Sequence, residues 1–435
     1  MKKIFQKLSR IFVFTAIATL PLLSLGCSSG PANAGPVVLN IWKPFVDSDK
    51  MQSIISAYQT KHPNVTINYT KKNIDNYEPD LLNALAAGNG PDIYSVGNTW
   101  VPRYMDKIVP APDKTFIVKD YKDTFVDPMV SDLIRDNKIY GTAMWVDSLG
   151  LYYNKDLMGT AGIATPPKTW DELAADTRKI VRQDSTGYFS RSGPAMGTNK
   201  NVNRGQDIIY LLMLQAGVVP WTSDGSSPSF ANEIIKNGNN LNPGQQAVSF
   251  YTSFSNPSSA NYSWNQDSDY SIDAFANGRA AFLYGYSYTR AQINSKAPNL
   301  NYDVAPVPQN NLNDPTVNYS NYFAEVVSKQ SKNQAVAWDF LKFATSKDAL
   351  AGYYKTDKEP SSRRDLIEIQ SSDPDIGVFA HANLTGKTFY KVDETKFDAL
   401  IGDMIDNVVL RGQSIDQALS RAQSQASTLS LTRTQ

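Results

Sequence analysis

A carboxylate beside an apolar run is the first candidate for chemistry in this chain. Asp147 stands two residues before Leu149 to Tyr153, a stretch that is apolar and aromatic and carries no charge. Such a run predicts a buried strand. An unpaired charge beside a buried strand is costly, so Asp147 needs a hydrogen-bonding partner, as it would have beside a ligand cleft.

The elements before Asp147 predict where other polar side chains gather. Apolar residues alternate or recur with helical spacing in the order β-α-β-α-β, which favours an α/β domain with a mostly parallel sheet. Such sheets bind ligands at the carboxyl ends of their strands. Asn98, Thr99 and Trp100 follow the third strand, Asp92 to Val96, and are expected at that edge.

Two later segments supply further elements and candidates. Thr169 to Glu172 reads as a capping box and predicts a helix that begins at Trp170. Residues 280–288 predict a strand in which Tyr284, Tyr286 and Tyr288 share one face. Residues 223–242 are predicted to be loop-like, and residues 358–375 to be an irregular connection.

Length and composition restrict the class of protein. A chain of 435 residues exceeds the usual size of one core, which favours two domains. The 42 basic and 42 acidic residues balance, so there is no electrostatic case for nucleic acid. One cysteine and two histidines equip the chain poorly for a zinc site or Cys/His catalysis, and we expect no cofactor. The 23 tyrosines and 7 tryptophans suit amphipathic ligands.

The amino terminus has the pattern of an export signal. A basic start precedes an apolar run that ends at Gly26 and Cys27 and is too short to span a bilayer comfortably. The last residues are similar to a bacterial lipobox, although Ser24 stands where Leu is preferred. That similarity implies a lipoprotein signal peptide at 1–27 and lipidation of Cys27. Residues 28–36 are rich in Ser, Gly, Pro and Ala, which predicts a flexible tether. An ordinary signal peptide with a chance cysteine is the alternative.

Several motifs, taken in order, resemble extracellular solute-binding protein family 1, the sugar-binding receptors of bacterial ABC importers. They are GPDIYSV at 90–96, LYYNKDL within 147–157, PPKTWDEL at 166–173, FANGRAAF at 275–282 and AWDFLKFATS at 337–346. The resemblance implies an α/β, two-lobe periplasmic-binding-protein-like fold of type II, with interleaved lobes and a hinge. The first lobe is then 37–144 plus 309–354, and the second is 145–308 plus 355–435.

The same resemblance implies roles for individual residues, each of which has an alternative in local packing or capping. Asp147 matches a sugar-contacting carboxylate, and Trp145 stands where a small residue is usual. The remaining candidates lie on loops or strands that face the ligand in the family: Asn98, Thr99, Trp100, Asn203, Arg204, Tyr286, Tyr288, Tyr322 and, after the first strand, Lys43, Phe45 and Asp47.

The expected function is a monomeric, lipid-anchored receptor without enzyme activity. It would capture an oligosaccharide or related polyol at the outer face of the cytoplasmic membrane, or in the periplasm, and deliver it to ABC permease subunits. One alternative is a lipoprotein glycoside hydrolase that pairs Asp147 with Asp92 or Asp303. Another is a ferric-ion receptor that uses a tyrosine pair, either Tyr152 and Tyr153 or Tyr353 and Tyr354.

Overall fold

The computed structural model describes residues 35–222, 226–236 and 238–431. The predicted signal peptide at 1–27 and the tether up to residue 34 therefore lie outside the described residues. Within the described ranges, no helix is both long enough and apolar enough to cross a bilayer.

The strands are short, and most lie in one of two mixed sheets. In chain order they are β1 Val37–Pro44, β2 Val65–Lys72, β3 Ile93–Gly97, β4 Ile108–Val109, β5 Ile134–Arg135, β6 Lys138–Ile139, β7 Asp147–Ser148, β8 Gly150–Asn154, β9 Arg182–Gln183, β10 Phe189–Pro194, β11 Ile234–Lys236, β12 Asn239–Leu241, β13 Ala280–Gly285, β14 Tyr302–Pro306, β15 Asn318–Asn321, β16 Phe323–Ser328 and β17 Gly386–Lys387.

The helices cover the faces of these sheets, and two 3₁₀ turns, Asn98–Trp100 and Asn383–Thr385, lie among them. In chain order they are α1 Ser48–Lys61, α2 Ile74–Ala86, α3 Val101–Tyr104, α4 Val118–Thr124, α5 Asp127–Leu133, α6 Lys155–Thr160, α7 Trp170–Ile180, α8 Gly205–Ala216, α9 Pro243–Ser253, α10 Ser271–Ala276, α11 Thr289–Lys296, α12 Gln334–Ala344, α13 Lys347–Tyr353, α14 Arg364–Gln370, α15 Gly377–Ala382, α16 Glu394–Val409 and α17 Ile415–Leu431.

The first sheet has the strand order β2-β1-β3-β16-β4. β1 pairs in parallel with β2 and β3, whereas β16 runs antiparallel to β3 and β4. The helix α1 buries Met51, Ile54, Ile55 and Tyr58, the stripe that gives it an apolar face. The predicted β-α-β-α-β order and the mostly parallel opening of the sheet are confirmed.

The second sheet has the order β14-β8-β13-β10-β9. The strand β8, which lies between β14 and β13, confirms the buried strand predicted after Asp147. The helix α7 begins at Trp170 as predicted, and the Thr169 hydroxyl accepts from the Glu172 N–H at 3.2 Å. The Glu172 carboxylate accepts from the N–H of Lys168 at 2.6 Å, one residue before the one that a capping box specifies.

Two hydrophobic cores surround these sheets, as a two-lobe fold requires. In the first part of the chain, residues up to Val146 belong to the first core, and the second core begins at Leu149. Between them lies a small hinge sheet of order β17-β15-β7, built from chain segments that pass from one core towards the other. Its strands are close together, since a Cβ on Gly386 would lie 2.1 Å from the Ser320 hydroxyl.

The cores are interleaved along the chain. Tyr319 belongs to the second core, whereas Tyr322 and most of β16 belong to the first. Leu366 and Ile367 of α14 pack in the first core although they follow residue 354, where the sequence ended the first lobe. The lobe boundaries stay a prediction.

Three local predictions were wrong. Residues 358–375 contain α14, and residues 223–242 contain the hairpin of β11 and β12. The strand predicted to reach residue 288 ends at Gly285, so Tyr284 packs against Trp170 at 5.9 Å while Tyr286 and Tyr288 stack on each other. Strand periodicity alone did not reveal that the chain turns after Gly285.

Candidate functional site

The carboxyl edge of the first sheet collects the ends of several segments. β1 ends at Pro44 and β3 at Gly97, and Phe323 at the start of β16 pairs with Gly97. The 3₁₀ turn Asn98–Trp100 folds back over this edge. Gly97 permits the close approach, because a Cβ there would lie 2.8 Å from Trp100 Nε1.

Asn98 and Thr99 are buried at this edge and differ in their partners. Asn98 donates to the Asp132 carboxylate at 3.0 Å, and Tyr322 donates to the same oxygen at 3.1 Å. Thr388, beside the hinge sheet, donates to the other oxygen at 2.7 Å. Burial raises the pKa of Asp132. The Thr99 hydroxyl, in contrast, has no hydrogen-bond partner among the described residues.

Trp100 links the two lobes. Its Nε1 donates to the Glu394 carboxylate at 2.9 Å, and Glu394 begins α16, which packs on the second core. The Arg103 guanidinium covers the indole at 4.9 Å from its centre. The first-lobe wall, defined as Asn98, Thr99, Trp100 and the aromatic residues at their edge, therefore faces the second lobe.

Arg204 and two tyrosines form one part of the opposite surface. Arg204 adopts a left-handed conformation with φ 56° just before α8, and its Nε lies 2.7 Å from the Asp207 carboxylate. The guanidinium covers the Tyr286 ring at 5.2 Å, and the Tyr286 hydroxyl donates to Asp207 at 2.9 Å. Tyr288 stacks on Tyr286 at 5.8 Å and is 49% exposed.

Lys391 holds a second cluster of charges. Its ammonium is buried and lies 3.0 Å from Glu394 and 3.2 Å from Asp398. Burial opposes this charge, but Tyr319, Glu394 and Asp398 raise the pKa of Lys391 above its ordinary value. We call this cluster, together with Arg204, Asp207, Tyr286 and Tyr288, the second-lobe wall. Its charged groups neutralise one another.

Asp147 lies in the hinge sheet and is almost fully buried. One oxygen accepts from the backbone N–H of Ser287 at 2.9 Å and from its hydroxyl at 2.6 Å. The other oxygen is buried and has no partner in the described part of the chain. Burial raises the pKa of Asp147 to about 8, and the nearby Glu359 carboxylate adds to the shift. Burial also raises the pKa of Glu359, to about 7.

Asn203 precedes Arg204 and, like Asp147, has one side-chain polar atom that is hydrogen-bonded and one that is not. Its side-chain oxygen accepts from the Tyr270 hydroxyl at 3.1 Å, whereas its Nδ2 is buried without a partner among the residues described. A buried amide without a partner costs about 1–3 kcal/mol. Asn203 is thus the third predicted site residue, after Thr99 and Asp147, with a buried polar atom left unpaired.

The other predicted residues have partners inside the first lobe. Lys43 is buried in an ion pair with Glu325, and its ammonium lies 4.9 Å above the Trp145 ring. Trp145 stacks on Tyr353 at 6.4 Å. Asp47 is exposed and pairs with Lys71 at 2.5 Å, which lowers the pKa of Asp47. Their predicted ligand roles stay untested.

Sequence reasoning missed the acids and the lysine that organise both walls. Asp132, Asp207 and Lys391 were not among the candidates. The sequence contained one usable signal: Glu394 and Asp398 are spaced four residues apart, which places both acids on one side of the first turns of a helix, and Lys391 lies just before it.

The carboxylates proposed for hydrolysis lie apart from this site. Asp92 precedes β3, at the end of that strand opposite Asn98, and accepts from the Asn40 N–H at 2.8 Å. Asp303 pairs with Lys155 at 3.1 Å on the surface of β14. Neither therefore stands opposite Asp147 across the cleft.

The tyrosine pairs proposed for iron have packing roles. Tyr152 is buried in the second core and Tyr353 in the first. Among the described residues, no three His, Cys, Asp or Glu side chains are grouped so that they could hold a metal ion.

Comparison with known proteins identifies the class. The model of the bacterial extracellular solute-binding protein family matches residues 43–351. The chain belongs to this family. It is 24% identical to the maltodextrin-binding protein of Bacillus subtilis over 364 residues, which cover 82% of this chain and 81% of that protein.

Solved structures support the same fold. The sugar-binding protein of Xanthomonas citri superposes with a TM-score of 0.76 at 18% identity, covering 91% of this chain and 98% of that one. The cyclic α-maltosyl-1,6-maltose binding protein of Arthrobacter globiformis superposes with a TM-score of 0.73 at 19% identity. The match covers 91% of this chain and 99% of that one. The predicted two-lobe fold of type II is confirmed.

Proposed function

We propose that this protein captures a saccharide between its two lobes and delivers it to an ABC permease. The observation that carries the proposal is a set of unpaired polar atoms: Thr99 Oγ1, Asn203 Nδ2 and Asp147 Oδ1 are buried without partners among the described residues. They come from the first-lobe wall, the loop before α8 and the hinge. A sugar hydroxyl can form a hydrogen bond with each of these three atoms.

The energetic reason is the cost of leaving such atoms unpaired. A buried donor or acceptor without a partner costs about 1–3 kcal/mol. A ligand that satisfies several of them only when the lobes are together binds the closed form more tightly, and this difference in affinity shifts the lobes towards closure. Capture and closure are then one event.

The charges of the site favour a neutral ligand. In the second-lobe wall Arg204 pairs with Asp207, and Lys391 pairs with Glu394 and Asp398. A charged ligand would have to break one of these pairs. A polyol offers hydroxyls to the unpaired atoms and an apolar ring face to the exposed Tyr288 ring.

Relatives in the family support the ligand class. Their names specify maltodextrin, galactooligosaccharide, arabinooligosaccharide and diacetylchitobiose as ligands. Structures similar in fold carry maltotetraose, mannobiose or tagatose. We extend the general class, an oligosaccharide or related polyol, to this chain.

The amino terminus completes the proposal. We infer that Cys27 is lipidated and holds the receptor at the outer face of the cytoplasmic membrane. Expression of the full chain in a bacterial host with wild-type Cys27 should place it in the membrane fraction, and Cys27→Ser should release it. Equal partition of both forms would contradict the anchor while leaving sugar binding intact.

Titration calorimetry tests the ligand class. The panel is maltotriose, maltotetraose, mannobiose, mannotriose, diacetylchitobiose and tagatose, and at least one should bind with micromolar or tighter affinity. Each mixture is then analysed for shortened sugars. Failure of all to bind at millimolar concentration would contradict the proposal, and release of shorter sugars would favour the hydrolase.

A further inference from the structure

One buried amide side chain joins several of the segments that meet at the hinge. Asn383 opens the 3₁₀ turn Asn383–Thr385 and is fully buried. Its Nδ2 donates to the carbonyl of Val146 at 2.6 Å and to the carbonyl of Ser361 at 3.1 Å. Its Oδ1 accepts from the Ser148 hydroxyl at 2.7 Å. Both hydrogens of the amide are therefore used, and the two carbonyls, which can only accept, fix which way the amide faces.

Two of these partners stand on either side of Asp147 in the chain. Val146 precedes Asp147 and Ser148 follows it, so the one amide holds the backbone before Asp147 and the side chain after it. Successive side chains of a strand point to opposite faces. Because Ser148 points towards Asn383, Asp147 points away from Asn383, towards Ser287, which bonds one of its oxygens.

The strand that carries Asp147 offers little other support for this orientation. β7 consists of Asp147 and Ser148 alone and pairs with two residues of β15. A strand of two residues has few ladder hydrogen bonds to hold it. The Ser148 hydroxyl lies 2.7 Å from the Ser320 hydroxyl, so the amide of Asn383 reaches β15 as well, through Ser148.

The amide is enclosed by protein on all sides. Asn383, Ser148, Ser320 and Ser361 have no exposed surface, so a bound ligand does not touch them. Asp147, in contrast, has one oxygen without a partner among the described residues. An effect of Asn383 on ligand binding therefore acts through a neighbour, and the candidate ligand residue that Asn383 brackets is Asp147.

We propose that Asn383 is a positioning residue for ligand capture, which holds Asp147 in the orientation where its unpaired oxygen meets the ligand. This inference rests on the proposed function. Without the amide, the carbonyls of Val146 and Ser361 lose their donor, and leaving buried carbonyls unpaired is costly. A shift of the hinge segment that satisfies them moves Asp147 away from the ligand.

Two substitutions disturb the amide, and a third serves as the matched control. Asn383→Ala removes all three hydrogen bonds. Ser148→Ala removes only the donor to Oδ1 and is the milder change, which carries the test if Asn383→Ala does not fold. Asn318→Ala is the control: Asn318 is a buried amide of the same hinge sheet, but its Nδ2 donates to the Thr385 hydroxyl at 2.7 Å, and not to a neighbour of Asp147.

Each substitution is made in wild-type protein and again in Asp147→Ala. Calorimetry measures the affinity for the saccharide of the panel that binds wild-type protein most tightly, and thermal unfolding confirms that each variant is folded at the temperature of titration. This double-mutant cycle separates positioning from general destabilisation. A residue that acts through the Asp147 carboxyl has no effect on affinity once that carboxyl is gone.

In wild-type protein, we expect Asn383→Ala to weaken binding by about fivefold to tenfold and Ser148→Ala by about fourfold, as part of the contribution of Asp147 is lost. Asn318→Ala should bind within about 1.5-fold of wild type. In the Asp147→Ala background, all three substitutions should leave the remaining affinity within about 1.5-fold.

The outcomes distinguish this inference from the function on which it rests. Wild-type affinity in folded Asn383→Ala and Ser148→Ala would overturn the positioning role, and so would an equal loss in Asn318→Ala. Undiminished losses in the Asp147→Ala background would also overturn it, because the amide would then act by another route. In each of these cases wild-type protein binds its saccharide and the receptor function stands. If wild-type protein binds no saccharide of the panel, both proposals fail.

Discussion

The two walls of the cleft are built on different principles. The first-lobe wall consists of rings and neutral polar groups around Trp100, and its nearby lysine, Lys43, is buried against Glu325 inside the lobe. The second-lobe wall contains buried charges, since Arg204 pairs with Asp207 and the buried Lys391 pairs with Glu394. One wall offers apolar faces and unpaired atoms, and the other offers a fixed polar network.

The difference indicates which changes affect stability and which affect binding. Charges in the second-lobe wall are partners of each other, so removing one leaves the others without an opposite charge in a largely buried site. Side chains of the first-lobe wall and the hinge have buried hydrogen-bonding atoms without a partner. Removing such a side chain should therefore lower the affinity for the ligand more than the stability of the fold. Four predictions test this division.

The largest expected effect is on the second-lobe wall. Lys391→Met should lower the free energy of unfolding by about 3–5 kcal/mol, because Glu394 and Asp398 lose their buried cation. Chemical denaturation measures the change. Lys396→Met is the control, since Lys396 is 66% exposed and pairs with Asp393 at 3.0 Å; it should cost at most about 1 kcal/mol. Equal, small costs would contradict the view that buried charges hold this wall.

A change in the hinge should affect ligand affinity more than stability. Asp147→Ala removes the unpaired oxygen, and we expect saccharide affinity to fall roughly 5- to 150-fold, corresponding to about 1–3 kcal/mol for a sugar hydroxyl left buried without its partner. Calorimetry measures the loss. Asp303→Asn provides the control, because Asp303 pairs with Lys155 at the surface. Unchanged affinity in Asp147→Ala would exclude Asp147 as a ligand residue.

Stability should depend on pH through the same carboxyl group. The folded protein keeps the proton of Asp147 up to a pKa of about 8 because of burial, whereas the unfolded chain loses it near pH 4. The folded state therefore binds more protons between these values, and stability falls as pH rises, by up to about 1.4 kcal/mol per pH unit. Thermal midpoints from pH 5 to 8 should decline in wild type.

Asp147→Asn should flatten this decline, because the amide does not titrate. Glu359, with a pKa raised by burial to about 7, contributes in the same direction, and Glu359→Gln should flatten the remainder. A decline of unchanged slope in both variants would assign the pH dependence to other groups.

The smallest effect concerns the contact between the walls. Trp100→Phe keeps an aromatic ring but removes the hydrogen bond to Glu394, worth about 0.5–1.5 kcal/mol. The ratio of closed to open protein without ligand should fall by about threefold to tenfold. Small-angle X-ray scattering would detect a larger radius of gyration. A smaller or unchanged radius would mean that this bond does not favour closure.

Much of the fold could be predicted from the sequence, because helical and strand periodicity is local. Asp147 was found for the same reason: a charge beside an apolar run is conspicuous in one dimension. Lys43 shows the limit. Its position after the first strand predicts a ligand role, but its carboxylate partner, Glu325, is 282 residues away in the chain.

The polar network of the site depends on pairings of this long-range kind. Trp100 and Glu394 are 294 residues apart, and Asp132 and Thr388 are 256 apart. Such pairs have no periodicity that a local pattern could reveal. The turn at Phe45, where φ is 69°, also could not be predicted from the sequence, because no glycine or asparagine marks it.

The most direct test of the account is a crystal structure of the protein with the saccharide that binds most tightly. We predict a sugar between the walls, with a hydroxyl within hydrogen-bonding distance of the unpaired Asp147 oxygen and others near Thr99 Oγ1 and Asn203 Nδ2. A sugar bound elsewhere, with these three atoms still unpaired or bonded only to water, would contradict the central claim.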